Sequence, residues 1–243
     1  IKGADEVDVI LDDGTTLRAS VKGVDPRTDL ALLEVTSDQP LPYVNLGDSD
    51  TARVGDWVIA IGNPFGLGGT STSGIVSARG RDLRDGPYVD YIQIDAPINR
   101  GNSGGPLFNE VGEVIGINTA IFSPNGGSVG IGFAIPSSQA KSIIAQLEET
   151  GSVARAWLGV EIQPVTQGIA EGLGLEDQTG ALISKITPNS PAESSGLLAG
   201  DVIIKFDGED IKKMRDLPRL VAQASRDENA AVSVWRDGEI IEI

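Results

Sequence analysis

The 243 residues include no cysteine, no histidine, a single methionine and few aromatics. Without cysteine the chain has no disulfide, no thiolate nucleophile and no cysteine-ligated zinc, and this composition fits both a reducing and an oxidising compartment. The missing histidine excludes more, because histidine is the usual general base and the usual transition-metal ligand. Positive charge is also scarce. Nineteen Lys and Arg stand against 35 Asp and Glu, a formal charge of −16 that repels phosphate backbones, and no basic stripe offsets it, so nucleic acid is excluded as a partner. No apolar stretch approaches the roughly 20 residues that span a bilayer, and no secretory leader stands at Ile1.

What is abundant is turn-forming: 31 glycines and 13 prolines punctuate short apolar runs, the pattern of many strands rather than long helices. The expectation is a mainly β fold. Val7 to Leu11, a turn at Asp12-Asp13-Gly14 and Thr15 to Val21 read as a hairpin, followed by strands at Leu30 to Val35, Trp57 to Ile61, Gly74 to Ala78, Tyr91 to Ile94, Pro106 to Phe108, Val114 to Ala120 and Ile131 to Ala134. Ala140, Ile143, Ile144 and Leu147 then recur at helical spacing over Ser137 to Thr150, closed by Gly151. A second, smaller α/β region follows, with strands near Leu158 to Gln163, Gly180 to Ile186, Val202 to Phe206 and Ala230 to Trp235, a helix over Met214 to Ala224, and a last strand from Glu239 to Ile243. The predicted domains are 1–150 and 151–243.

The segment richest in chemistry is Arg100-Gly101-Asn102-Ser103-Gly104-Gly105. Glycines on both sides of Ser103 let backbone approach a substrate closely and leave N–H groups free for one oxygen, so Ser103 is the candidate nucleophile, with the Gly101 to Ser103 backbone as oxyanion hole. Asp29, directly ahead of the apolar strand Leu30 to Leu33, is the candidate acid that orients a histidine, while Asp25 before Pro26 reads as a turn residue. An acid preceding the serine matches the order His, Asp, Ser, which places the histidine upstream of Ile1. Two further motifs carry no chemistry. Ser138 and Lys141 have the Ser-x-x-Lys spacing but open a helix, where serine is the expected cap, and the run Gly62 to Gly69 lacks the ending of a phosphate loop.

Together, Asp25 to Leu33, Gly62-Asn63-Pro64-Phe65-Gly66, Thr72 to Ser77, Ile98 to Gly105 and Gly130 to Pro136 resemble the HtrA/Deg family of serine proteases along nearly the whole chain. The resemblance implies a chymotrypsin-like double β-barrel, incomplete at its N-terminus, followed by a PDZ domain. It implies Asp29 and Ser103 as catalytic residues, and Ile98, Ile121 and Ile131 as the lining of a specificity pocket for small or medium aliphatic side chains. Trp157-Leu158-Gly159-Val160 corresponds to the carboxylate-binding loop of the PDZ domain, the next strand being the edge that receives a peptide. Ser190 to Glu193 and Gly200 to Ile203 also match the PDZ pattern. The uncharged Asn102 cannot pair with a newly cut N-terminus, so reversible ordering of Arg79 to Tyr91, Ala96 to Gly101 and Phe122 to Gly130 is expected instead, with Arg100 as a contact.

The expected activity is ATP-independent endoproteolysis of misfolded polypeptide in the bacterial periplasm, without cofactor or metal, by a homotrimer or a multiple of it, with the PDZ domain capturing C-termini. A second PDZ domain after Ile243 is compatible with this reading. The alternatives are an inactive peptide-binding chaperone or scaffold, favoured by the missing histidine, and a regulatory sensor gated by one signal peptide.

Overall fold

The computed structural model describes residues 1, 3–66, 68–83, 86, 88–124, 126–224 and 229–243. Two compact units emerge, Ile1–Val153 and Ala154–Ile243.

The first unit opens on strands β1 (Glu6–Ile10), β2 (Thr16–Asp25) and β3 (Leu30–Val35), joined as an antiparallel sheet in that order. The β1–β2 turn forms because the Asp13 carboxylate accepts the Thr15 N–H at 2.8 Å while Leu11 and Thr15 close the backbone loop. Next come β4 (Trp57–Gly62), β5 (Thr70–Arg81), β6 (Tyr91–Ile94), β7 (Pro106–Phe108), β8 (Val114–Ile121) and β9 (Gly132–Pro136). They close a barrel in the order β4-β5-β6-β9-β8-β7. One barrel is therefore closed, and the remaining strands of the unit form an open three-stranded sheet. Alternation fills the barrel: Val58 and Ala60 of β4 point inward with Val76, Ile94, Leu107 and Ile115, while Trp57, Ile59 and Ile61 face out.

Helix α1 (Ser137–Thr150) buries Ala140, Ile143 and Leu147, packs against β2, β3, β8 and β9, and stops at Gly151 in the left-handed region. The expected serine cap is corrected here. The N-cap position is Pro136, without a side-chain bond; Ser137 Oγ instead donates to the Gly47 carbonyl, and Ser49 Oγ accepts the Ser138 N–H. The helix start is thus satisfied from a distant loop.

The second unit holds β10 (Val160–Pro164), α2 (Gln167–Leu173), β11 (Ala181–Ile186), α3 (Pro191–Ser195), β12 (Val202–Phe206), β13 (Glu209–Asp210), α4 (Asp216–Gln223), β14 (Val232–Arg236) and β15 (Glu239–Glu242). Its antiparallel sheet runs β10-β11-β12-β14-β15, with β13 pairing β12, so β10 is an edge strand. Ile183, Ile203, Phe206 and Val234 from the sheet meet Leu217 and Val221 of α4 in its core.

Candidate active site

Ser103 lies in the connection between β6 and β7, on a turn that the backbone holds tightly. The Asn102 N–H donates to the Asn99 carbonyl at 3.1 Å, and Gly101 at the third position has φ +107°, the pattern of a type II turn. Only glycine suits that position twice over, because a Cβ there would also stand 2.3 Å from the Asn63 carbonyl. Behind the turn, the Gly104 N–H donates to the Asn118 carbonyl at 2.8 Å and the Asn118 N–H to the Gly105 carbonyl at 2.9 Å, pinning the loop to β8. Asn102 is buried at 1% exposure, and Ser103 beside it faces solvent.

These bonds consume carbonyls and leave amides. Among the described residues, neither the Gly101 nor the Ser103 N–H donates to an acceptor of the chain. The Ser103 hydroxyl donates to the Thr119 carbonyl at 2.9 Å. A hydroxyl and two unengaged amides therefore share one turn, and these are groups that acyl transfer uses.

Asp29 sits in the turn between β2 and β3. The organiser of that turn is Asp25, whose buried carboxylate accepts the Thr28 hydroxyl at 2.6 Å and the Arg27 N–H at 3.4 Å. Asp29 itself is exposed and adopts φ +59°, a conformation uncommon for a residue with a side chain. Leu30 packs on the cluster of Val89, Tyr91, Phe133 and Ile135, as does Ala120, the residue after Thr119. The Asp29 turn and the strand that receives the Ser103 hydroxyl are thus anchored in one apolar cluster.

The three isoleucines divide. Ile98 is fully buried in the barrel core, Ile121 packs partly buried against that same core, and Ile131 joins the Leu30 cluster. Loop 122–130 is tied to the Ser103 turn, since Asn99 Oδ1 accepts the Ser128 N–H at 3.1 Å. Arg100 is exposed. Arg84, Asp85, Pro87 and Asn125 of the loops expected to reorder, and Leu67 of the glycine-rich run, lie outside the described residues. That run does meet the Ser103 turn, the Asn63 N–H donating to the Gly101 carbonyl at 3.1 Å. Ser138 and Lys141 form no dyad: Ser138 Oγ donates to Asp50 and Lys141 Nζ to the Gly47 carbonyl.

In the second unit, the Leu158 carbonyl accepts the Ala192 N–H at 2.9 Å and the Gly159 carbonyl accepts the Thr187 N–H at 2.8 Å. The Leu158 and Gly159 N–H groups donate to no acceptor among the described residues. Gly159 has φ +86°, and a Cβ on it would lie 2.2 Å from Ser190 Cβ, so this loop also needs glycine. Trp157 is exposed, and Leu158, Val160 and Ile162 share the core with Met214, Leu220 and Ala224 at the α4 end.

The family described as trypsin-like peptidase domain matches residues 1–117, and that described as PDZ domain matches residues 156–243. A solved structure titled HtrA-type protease AlgW with decapeptide shares 45% identity with a TM-score of 0.86, covering 99% of this chain and 74% of that one. The chain belongs to the HtrA-type protease family. A second solved structure, of the serine endoprotease from Yersinia pestis, is 33% identical with a TM-score of 0.72, over 100% of this chain and 79% of that one. Among curated proteins, a probable periplasmic serine endoprotease DegP-like from Brucella suis biovar 1 (strain 1330) is 57% identical over 244 residues, all of this chain and 48% of its own length. The corresponding protein of Marinomonas sp. (strain MWYL1) is 52% identical over 98% of this chain and 51% of its own length. The chain spans about half the length of these curated relatives.

Sequence reasoning missed three contributors to this candidate site. Thr119 receives the Ser103 hydroxyl, Asn118 pins the glycines behind it, and Asn99 links the turn to loop 122–130. Asn99 and Asn118 appear as ordinary polar residues in the sequence; their roles depend on which strands pair. Asn102 Oδ1 and Asn118 Oδ1 are buried without a partner among the described residues, an uncommon state that marks this loop as the polar interior of the barrel end.

Proposed function

We propose that this chain supplies the nucleophile, the acid and the peptide-capturing portion of an ATP-independent serine endopeptidase of protein quality control in the bacterial periplasm. The observation that carries the reading is the Ser103 turn: an exposed hydroxyl beside two amides without acceptors, on a loop pinned from behind. The curated relatives' names, probable periplasmic serine endoprotease, support both the chemistry and the compartment.

In this mechanism Ser103 Oγ leaves the Thr119 carbonyl, gives its proton to a histidine and attacks the substrate carbonyl. The Gly101 and Ser103 amides stabilise the oxyanion, with Asn102 holding the peptide between them, and Asp29 orients the imidazole. These 243 residues hold no histidine, so in this reading the base is supplied by sequence upstream of Ile1. Ile98, Ile121 and Ile131 make the specificity pocket, which takes small or medium aliphatic side chains. No cofactor or metal takes part.

The catalytic domain is residues 1–150 and the PDZ domain 151–243. Trp157, Leu158, Gly159 and Val160 hold the terminal carboxylate of a misfolded chain, and β10 pairs with its extended end. The assembly is a homotrimer or a multiple of it, built on the outward row Trp57, Ile59 and Ile61 of β4, an exposed apolar strip.

The second reading, an inactive peptide-binding scaffold, is favoured by the unengaged Leu158 and Gly159 amides, which need no histidine. Casein cleavage by the histidine-containing protein separates the two. The protease reading expects cleavage that a Ser103→Ala variant loses by about a millionfold; casein left whole by both proteins supports the scaffold.

A further inference from the structure

The turn that carries Asp29 is held on both flanks by distant parts of the chain. On one side, Arg27 Nη1 donates to the Tyr88 hydroxyl at 2.5 Å, and the guanidinium carbon lies 5.1 Å from the centroid of the Tyr88 ring, within cation–π range. On the other side, Leu30 packs against the apolar cluster that includes Val89 and Tyr91. Tyr88 is held in turn, because Gln139 Nε2 of α1 donates to its carbonyl. Between the two flanks stands Asp29 at φ +59°, a backbone state that a residue with a side chain keeps only where its surroundings over-determine it.

The Asp25 carboxylate shapes the turn from within, accepting the Arg27 N–H and the Thr28 hydroxyl. Tyr88 ties the turn to the chain that leads into β6, and that chain continues into the Ser103 loop. We infer that Tyr88, through Arg27, is a positioning residue for Asp29, setting where the Asp29 carboxylate meets the histidine. The inference rests on the reading of Asp29 as the acid of a serine protease. Neither side chain touches substrate; each acts through the backbone of the Asp29 turn.

A misplacement on the order of 1 Å in a catalytic group costs about a hundredfold in rate, and a partial loosening costs less. The test uses a fluorogenic peptide and the histidine-containing protein. Tyr88→Leu is expected to lower kcat about tenfold with KM unchanged, and Tyr88→Phe, which keeps the ring beside the guanidinium, to recover part of the loss. Arg27→Gln, on an exposed side chain, is expected to match Tyr88→Leu, and it preserves the test should Tyr88→Leu fail to fold. In an Asp29→Asn background, Tyr88→Leu is expected to change the residual rate less than about twofold, because its effect runs through the group already removed.

Equal losses from Tyr88→Leu with and without Asp29 overturn the inference, as does a change in KM alone. An inert Asp29→Asn variant beside a wild-type Tyr88→Leu and Arg27→Gln also overturns it, leaving the reading of Asp29 in place. Wild-type kcat in Asp29→Asn overturns both.

Discussion

Asn63 and Gly101 hold each other: the Asn63 N–H donates to the Gly101 carbonyl at 3.1 Å, and the Asn63 carbonyl lies where a Cβ on Gly101 would fall, 2.3 Å away. This contact fixes the carbonyl side of the Gly101 residue and leaves its N–H unengaged. Gly101→Ala therefore meets a backbone clash and an unfavourable φ together. We expect kcat of the histidine-containing protein to fall by about 10²–10³, the worth of one oxyanion donor, with the far-ultraviolet circular dichroism unchanged. Undiminished kcat in this variant contradicts the assignment of the Gly101 amide.

The peptide loop gives a prediction for the 243-residue chain itself. A peptide ending in an apolar residue with a free carboxylate should bind, and its amidated counterpart should bind at least about tenfold more weakly, because hydrogen bonds to a charged acceptor are the stronger ones. Gly159→Val should abolish binding, since its side chain would occupy the space of Ser190. Fluorescence anisotropy reads both. Equal affinity for the two peptides rules out carboxylate capture.

Trp57, Ile59 and Ile61 project from the outer face of β4, with Trp57 59% exposed. Sedimentation of the histidine-containing protein should give three times the monomer mass or a multiple, and Trp57→Asp should reduce it to the monomer. A Trp57→Asp protein of unchanged mass places the assembly surface elsewhere.

In the second unit, Asp201 is 1% exposed and takes a bidentate pair from Arg236, Nε to Oδ1 at 2.6 Å and Nη2 to Oδ2 at 2.7 Å, plus the Leu198 N–H at 2.8 Å. These bonds hold the Arg236 guanidinium above its usual pKa. Asp201→Ala leaves Arg236 facing an uncompensated site and should lower the unfolding free energy of this unit by about 3 kcal/mol in urea titration. A loss below about 1 kcal/mol would mean that solvent replaces Asp201 as the partner.

Much of the fold was legible in the sequence, and the exceptions have physical reasons. Apolar runs bounded by polar residues or glycine located β3, β6, β7 and β12 to the residue, and the recurrence of Ala140, Ile143 and Leu147 located α1. Strand β5 extends well beyond Gly74 to Ala78, because its ends, Thr70 to Ser73 and Arg79 to Arg81, are polar and show no periodicity. Helix α2 escaped notice because Gly168 and Gly172 depress helical propensity, although Ala170 is buried in its middle. The five residues of α3 did carry a signal, Ser190 accepting the Glu193 N–H in a capping box with Pro191 at the first turn.

For the candidate site, the backbone requirements could be read and the side-chain links could not. Glycine at 101 and 159 announces positive φ, which is local. The bonds of Asn99 to Ser128, Ser103 to Thr119 and Arg27 to Tyr88 span 29, 16 and 61 positions and exist only once the barrel closes.

The most direct test treats the histidine-containing protein with a fluorophosphonate and maps the adduct by intact mass and peptide sequencing. The account predicts one adduct, on Ser103, formed at a rate that falls steeply in Asp29→Asn. An adduct on another serine, or casein cleavage that persists in Ser103→Ala, contradicts it.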